Sequence, residues 1–320
     1  MNNTTIQQRS VDNSWAEDAF RKYPETDTVF DVKITSAYMT FGYYLSGHAI
    51  VDYGDGSTYT STNAINQTSN NAPCVTHTYP APGIYTVVIS PTDNVGFWYS
   101  SNSNVAFSGY RSIYVLRQIG TMQKKVISML GYSNNMAVNA FAQGVKIPDG
   151  IGNMSGFMQT ANPSQPKRYI NSDFTVPDSV TNIQYAFGNF GQGLVELPDS
   201  FQLPPRLTTA FFLFYENKNL KHLPANLKLP KTVTSVERMF RNCPNLEFDI
   251  SNLFPEEWAA GGYTCNFTNF ADNAPKLTGT VPEFIFDGRN NFSHNTNSFH
   301  SCTRLSNYNQ IPASWGGGGS

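Results

Sequence analysis

Charged side chains are scarce in this chain of 320 residues: they make up 14% of it, the same share as aromatic residues, and the formal net charge is -2. No lysine or arginine occurs between Lys33 and Arg111. A nucleic-acid partner requires clustered basic side chains that neutralise phosphates, and an anionic membrane surface requires a polybasic stretch. The composition therefore argues against both kinds of partner.

Long apolar runs are also missing. The longest, such as AFFLFY at residues 210–215, have the length of a buried strand, whereas a membrane-spanning helix needs about 18 or more consecutive apolar residues. The first residues, MNNTTIQQRS, contain neither the basic nor the apolar segment of a secretory signal. We expect no membrane insertion and no export signal.

Cysteine is rare, and no CxxC pair occurs. The four cysteines are far apart in the sequence: Cys74, Cys243, Cys265 and Cys302. Zinc sites and dithiol redox pairs need closely spaced ligands, so this pattern argues against both and favours buried free thiols. We therefore expect neither a metal nor a cofactor.

The first part of the chain changes character twice. Residues 1–29 are polar, except for SWAEDAFRKYPE, where Ser14 and Glu17 fit a capping box and Pro24 ends a short helix. We interpret this segment as an arm that attaches the protein to a neighbour.

Residues 30–118 contain short alternating segments separated by turn residues, which is typical of a β-sandwich. Its predicted strands are FDVKIT, HAIVDY, YTVVIS and RSIYVL.

The remaining residues, 119–315, contain a repeat. Its phenylalanine anchors are separated by 27, 26, 30 and 29 residues, and a leucine follows each anchor by six or seven positions. A fixed period in the twenties predicts a leucine-rich solenoid, in which each unit buries its apolar side against the next. The anchors are Phe187, Phe214, Phe240, Phe270 and Phe299, and the leucines are Leu194, Leu220, Leu246, Leu277 and Leu305.

Asparagine or cysteine stands three residues after four of the anchors, at Asn217, Cys243, Asn273 and Cys302. At such a position in a leucine-rich solenoid the side chain turns inward and bonds the backbone of a bend. A disulfide between Cys243 and Cys302 is not expected, because the two units are roughly 10 Å apart when strands lie about 4.8 Å apart. We expect Trp315 to cover the last unit and residues 316–320 to form a flexible glycine-rich tail.

The segments VDYGDGSTYT and VTHTYPAPGIYTVVIS resemble the PKD-type, immunoglobulin-like β-sandwich. The matching residues are Tyr53, Gly54, Asp55, Gly56, His77, Tyr79, Pro82, Gly83 and Tyr85. Units such as MFRNCPNL, which follow this segment, resemble BspA-like leucine-rich proteins of bacterial surfaces and bacteriophages. The resemblance covers roughly residues 30–315 and implies a mainly β protein: a sandwich followed by an irregular leucine-rich solenoid.

Proteins of this kind mostly adhere or assemble. Because an export signal is not expected, we favour a non-enzymatic protein on a bacteriophage virion: a head fibre, a decoration protein or a tail-associated protein. Its arm would bind a capsid or tail protein, its surface would bind a host cell-surface glycan or protein, and we expect a homo-oligomer. The alternative is an adhesin on the bacterial cell surface, and a glycan-processing enzyme is a remote alternative.

Glycoside hydrolysis would need two convergent carboxylates, and Asp52 and Asp55 are the close pair in the sandwich segment. We interpret them structurally: Gly54 and Gly56 accept positive φ in a turn, Asp55 bonds the turn backbone, and Asp52 is a strand side chain. The five histidines are scattered and match no catalytic frame. We therefore expect no catalytic residues.

Aromatic and amide side chains come together at VGFWYSSNSN, residues 95–104. One interpretation is a sugar-binding platform, with stacking rings and hydrogen-bonding amides. The other is that two of the rings pack in the core and the rest forms a loop. The candidate binding residues are Phe97, Trp98, Tyr99, Asn102 and Asn104.

Overall fold

The computed structural model describes residues 23–63, 74–94, 97–101, 115–121, 140–141, 145–157, 170, 174–188 and 194–319. Within this part of the chain the regular structure is mainly strand, which confirms the predicted mainly β class. The helix predicted near Ser14 and Glu17 lies outside the described residues.

Eight strands form one hydrogen-bonded sheet in the first part of the chain. The predicted segments FDVKIT, HAIVDY and YTVVIS lie in the first, second and fifth strands, whereas only the last two residues of RSIYVL are described. The strands are β1 (Thr28–Ile34), β2 (Met39–Asp52), β3 (Thr58–Asn63), β4 (Cys74–Tyr79), β5 (Gly83–Pro91), β6 (Phe97–Ser101), β7 (Val115–Gln118) and β8 (Ala140–Phe141).

Strand β2 is shared between two sets of neighbours. Its first half pairs antiparallel with β4 and β6, and its second half pairs antiparallel with β3 and β5. Strand β5 continues through β1 to β7 and β8. The change of neighbours falls at Gly47, which has a φ of 105°, a value that glycine adopts without the steric penalty of a side chain.

The two halves of β2 contribute to one apolar core. Alternate residues of β2 are fully buried, as the period of two in a strand requires, and they meet buried residues of β1 and β5. An ion pair also lies in this region: Arg117 Nε is 2.8 Å from Asp31 Oδ1, and the carboxylate is 1% exposed. It joins β1 to β7.

From residue 153 onward, successive units pair their backbones in parallel. Single bridges join Asn153 to Asn182, Asn182 to Thr209, Thr209 to Ser235, and Ser235 to Asn266. The series continues in two short strands, β9 (Thr264–Asn266) and β10 (Asn291–Ser293), which pair in parallel. The four described 3-10 helices span Glu256–Ala260, Glu283–Ile285, Tyr308–Gln310 and Ala313–Trp315.

The repeated phenylalanines form a continuous row of rings inside these units. All five anchors are 0% exposed. Centroid distances between consecutive anchors are 6.0, 5.8, 5.3 and 5.6 Å from Phe187 to Phe299, which is the range of favourable aromatic contacts. The five leucines that follow the anchors are buried as well. Each unit therefore closes the apolar side of its neighbour.

We call the four asparagine and cysteine residues predicted to turn inward the inner ladder. Three of them bond backbone carbonyls of the preceding unit. Asn217 Nδ2 donates to the carbonyl of Phe187 at 2.7 Å, and Cys243 Sγ lies 3.0 Å from the carbonyl of Phe214. Cys302 Sγ lies 3.2 Å from the carbonyl of Ala271. These side chains thus link the bend of one unit to the backbone of the preceding unit.

The assignment of Asn273 to this ladder is wrong. Asn273 is exposed, has a φ of 59°, and donates from Nδ2 to Asn242 Oδ1 at 3.1 Å. The buried position belongs to Ala274, which precedes Leu277 by three residues, as Asn217 precedes Leu220. This unit has one extra residue between its anchor and its leucine, so counting from the anchor gave the wrong register.

The glycine-rich end does not form a flexible tail. Gly317 N–H donates to the carbonyl of Pro312, Gly318 N–H to that of Tyr308, and Gly319 N–H to that of Ile311. A Cβ at Gly319 would lie 2.8 Å from the carbonyl oxygen of Ile311, and a Cβ at Gly317 would clash with the same oxygen. The glycines are packed because the backbone runs too close to the last unit for any side chain.

Trp315 precedes these glycines and is 4% exposed. Its ring lies 6.2 Å from that of Phe299, at 30° between the planes. The carbonyl of Trp315 accepts a hydrogen bond from the N–H of Phe299. Trp315 therefore covers the last anchor of the row.

Candidate functional site

The two aspartates of VDYGDGSTYT hold the turn between β2 and β3. Asp52 Oδ1 accepts from the N–H of Gly54 at 2.8 Å. Asp55 Oδ1 accepts from the N–H of Ser57 at 3.0 Å and from its hydroxyl at 2.6 Å. Gly54 and Gly56 have φ values of 76° and 90°. Each carboxylate thus bonds its own local backbone, as Asx turns do.

His77 fixes the second carboxylate oxygen of this turn. Its Nε2 lies 2.7 Å from Asp55 Oδ2, and because an ionised carboxylate only accepts, Nε2 carries the proton. The imidazole stacks on Tyr53 at 3.9 Å and 11°, and meets the ring of Tyr79 edge-on at 4.6 Å. The Asp55 side chain is 9% exposed. Both oxygens of this carboxylate are therefore bonded within the protein.

Tyrosine hydroxyls add further hydrogen bonds around this turn. The hydroxyls of Tyr43 and Tyr53 lie 2.8 Å apart, and Tyr79 donates to the carbonyl of Tyr53 at 3.2 Å. Tyr85 stacks on Tyr79 at 4.3 Å and donates to the carbonyl of Ala81 at 3.0 Å. Burial raises the pKa of Tyr53 to about 12, although its bond with Tyr43 acts in the opposite direction. Tyr53 therefore stays neutral, and the four hydroxyls act as structural donors or acceptors.

The pKa of Asp55 reflects two opposing effects. Burial raises it, but the hydrogen bonds from Ser57 and His77 favour the charged form and lower it below its ordinary value. Asp55 is ionised at neutral pH, as an aspartate with the ordinary pKa of 3.8 also is, and the lowered pKa extends this state to more acidic pH. A carboxylate held in this state is a poor general acid.

Of the predicted sugar platform, Phe97 does not reach the surface. Its side chain is 0% exposed and belongs to the core, so the assignment of Phe97 as a stacking ring is wrong. It faces inward because β6 pairs with β2 in a register that places Phe97 opposite Gly47. For Trp98 and Tyr99 the structure describes the backbone pairing only. The other two candidates, Asn102 and Asn104, lie outside the described residues.

Three of the other described histidines have separate partners. His48 Nδ1 is close to Asp93, His300 Nδ1 lies 3.0 Å from Asp272 Oδ1, and His294 stacks on Trp315 at 4.1 Å. Among the described residues, no group of three or more histidine, cysteine, aspartate or glutamate side chains is arranged to hold a metal ion.

A surface that sequence reasoning missed lies across three of the repeated units. Its side chains occupy corresponding positions beside the buried anchors and are half-buried, except for one ring that is 7% exposed. We call it the aromatic-arginine strip. It consists of Tyr185, Phe211, Phe212, Tyr215, Arg238 and Arg241.

The aromatic part of the strip is built on Phe212. Tyr185 stacks on Phe212 at 4.5 Å and 29°, while Phe211 and Tyr215 meet it at 4.1 and 4.7 Å and at steep angles. The guanidinium of Arg238 lies 4.9 Å from the centroid of the same ring, within the range of a cation-π contact. Four side chains thus surround the ring of Phe212 and fix its position.

The backbone that presents the strip is left-handed. Tyr185, Phe212 and Arg238 have φ values of 56°, 56° and 54° and occupy equivalent positions in three successive units. A left-handed non-glycine residue costs roughly 1–2 kcal/mol. Such strain persists where the surrounding structure compensates for it, and it is frequent at binding sites.

Charged and polar groups border the rings. Arg238 Nη1 lies 2.8 Å from Glu237 Oε1, and Glu237 Oε2 accepts from Asn266 Nδ2 at 2.9 Å. Arg241 Nε donates to Asp272 Oδ2 at 3.0 Å, and its guanidinium lies 6.0 Å from the ring of Tyr215. These contacts fix the polar groups beside the aromatic part of the strip.

No family model, curated protein or solved structure matches this chain. The described part of the chain contains no helix with the length and hydropathy needed to cross a membrane.

Proposed function

We propose that this chain is a non-enzymatic adhesion or assembly protein displayed on a bacteriophage virion, as a head fibre, decoration protein or tail-associated protein. In this proposal, residues 30–118 form an immunoglobulin-like, PKD-type sandwich and residues 119–315 a BspA-like leucine-rich solenoid. Residues 1–29 attach the protein to a capsid or tail protein, and the protein acts as a homo-oligomer. The repeated units present a surface to a glycan or protein of the host cell.

The observation that carries this proposal is the aromatic-arginine strip. Stacked repeats typically bind through an extended surface to which each unit contributes equivalent positions. Tyrosine and arginine are enriched among the residues that dominate binding energy. Half-buried rings that hold one another lose little conformational freedom when a ligand binds, which favours affinity.

The two alternatives differ in how the structure bears on them. An adhesin on the bacterial cell surface would use the same strip, so only its location separates it from a virion protein. A glycan-processing enzyme needs a pair of carboxylates free to reach a substrate. Asp52 and Asp55 instead bond the turn backbone, which favours the non-enzymatic proposal.

Immunogold electron microscopy with antibodies to the purified protein tests this proposal. Infected cultures are separated into particles and bacterial envelopes, and both fractions are labelled. We expect label on the phage particles. Label confined to envelopes would support the cell-surface adhesin, and label on neither fraction would refute both. Release of reducing sugar from host polysaccharide, lost in Asp52→Asn, would instead support the enzyme.

A further inference from the structure

We propose that the aromatic-arginine strip binds a neutral, hydroxyl-rich oligosaccharide, with sugar rings lying against the aromatic side chains. This inference rests on the proposed adhesive function and specifies its ligand. It places binding on the repeated units, away from the segment at residues 95–104.

The centre of the strip suits the apolar face of a sugar ring. Phe211 and Tyr215 flank Phe212 at steep angles and are half-buried. Half-buried aromatic rings offer contact area without exposing a large apolar patch to water. A ligand with apolar C–H faces and polar edges matches such a narrow aromatic surface.

The polar border favours hydroxyl groups over an apolar protein surface. Glu237, Asn266 and Arg238 are joined in one hydrogen-bonded series, and Arg241, Asp272 and His300 in another. An apolar partner would remove the water around these groups and leave hydrogen-bonding capacity unused, which is costly. Sugar hydroxyls both donate and accept, so they replace that water on carboxylate, amide and guanidinium alike.

The charge balance of the strip favours a neutral ligand. Each arginine already has a carboxylate partner, Glu237 for Arg238 and Asp272 for Arg241. A sulfated or uronic-acid chain would have to compete with these carboxylates and would be repelled by them. A neutral polysaccharide is not repelled by these carboxylates.

The repetition of the strip suits a repeating chain. Tyr185, Phe212 and Arg238 belong to consecutive units, and parallel backbones in neighbouring units lie about 4.8 Å apart. A linear polysaccharide offers the same group at regular intervals. Several weak contacts along one chain then add up to useful affinity.

Affinity electrophoresis of the full-length protein tests the proposal. Native gels contain dextran, mannan or laminarin as neutral probes, or polygalacturonate as an acidic probe, and migration is compared with that in a gel without polysaccharide. The variants are Phe211→Ala and Tyr215→Ala. Phe286→Ala is the matched control, because Phe286 is also half-buried in the repeated units but lies outside the strip.

We expect at least one neutral polysaccharide to retard the wild-type protein. Both strip variants should bind it about tenfold more weakly, equivalent to about 1.4 kcal/mol, whereas Phe286→Ala should bind normally. Thermal unfolding of each variant separates lost binding from lost folding, and Phe211→Ala decides the test if Tyr215→Ala fails to fold.

Three results would overturn the proposal: no retardation by any neutral probe, retardation by polygalacturonate alone, or equal retardation of strip and control variants. Binding of the strip to a host protein instead of a polysaccharide would overturn it as well. If particles are labelled in the immunogold experiment but no neutral probe retards the protein, the adhesive proposal stands and only its ligand class is wrong.

Discussion

The imidazole of His77 lies flat on the ring of Tyr53, 3.9 Å away, while its Nε2 bonds Asp55 at 2.7 Å. One side chain thus ties the turn after β2 to strand β4. The contact shows how a histidine and an aspartate that are 22 residues apart hold one turn together.

Replacement of Asp55 by alanine should lower the free energy of unfolding by about 1–3 kcal/mol, because His77 and the backbone N–H of Ser57 lose a partly buried, charged acceptor. Urea unfolding followed by tryptophan fluorescence measures this change. Asp52→Ala is the control: Asp52 is exposed and bonds one backbone N–H, so its loss should be smaller. Equal losses in the two variants would contradict the role assigned to His77.

The same carboxylate should make stability depend on pH. The pKa of Asp55 is lowered in the folded protein from an ordinary value of 3.8, so the unfolded chain binds the proton first as pH falls. Its stabilising contribution is present above the ordinary value and is lost as pH falls through the lower, folded-state value. As pH is lowered from 6 into the acid range, the denaturation midpoint of the wild type should fall more steeply than that of Asp55→Asn. Parallel curves would contradict this assignment.

Two glycines of the turn should respond differently to alanine. A Cβ at Gly54 would lie 2.6 Å from the carbonyl oxygen of Thr86, whereas a Cβ at Gly56 would meet no atom within 4 Å. Both have positive φ, so both variants bear a backbone cost of roughly 1–2 kcal/mol. Gly54→Ala should lose clearly more stability than Gly56→Ala because of the additional clash. Thermal unfolding of the pair measures the difference, and identical midpoints would mean that β5 does not approach the turn this closely.

The thiols of Cys243, Cys265 and Cys302 should be unreactive until the protein unfolds. All three are free and buried, and burial raises the pKa of each to about 12. Only the thiolate reacts quickly with a disulfide reagent. In a Cys74→Ser variant at pH 8, we expect almost no reaction with Ellman's reagent in buffer and three reacting thiols in guanidinium chloride. Rapid reaction in buffer would contradict the burial of the inner ladder.

Much of the fold follows from local sequence patterns. Alternating residues predicted β1, β2 and β5, and the spacing of phenylalanine and leucine predicted which residues of each unit are buried. These predictions succeed because burial follows periodicity directly. The Asn273 error has the opposite origin: one inserted residue moves the inward position to Ala274, and spacing from a single anchor does not reveal it.

The aromatic-arginine strip could not be predicted in the same way. In the run AFFLFY, the buried Leu213 and Phe214 stand next to the half-buried Phe211 and Tyr215, and hydrophobicity does not distinguish them. Their direction depends on the left-handed residue at Phe212, a conformation that large aromatic side chains rarely adopt. The missed signal is a polar residue four or five positions before each anchor. At Asn182, for example, Oδ1 accepts from the N–H of Gln184 at 2.8 Å, and this bond marks the start of the bend in that unit.

The packed glycines after Trp315 have a practical consequence for anyone who attaches a label or fusion partner to this protein. A run of four glycines looks like a ready-made spacer, yet Gly317, Gly318 and Gly319 are held by the backbone of the last unit. Pulling them away, or replacing them with serine-rich spacer sequence, would loosen the Trp315 cover over Phe299 and expose the end of the ring row to solvent. A spacer should therefore be added beyond residue 320, with these glycines left unchanged.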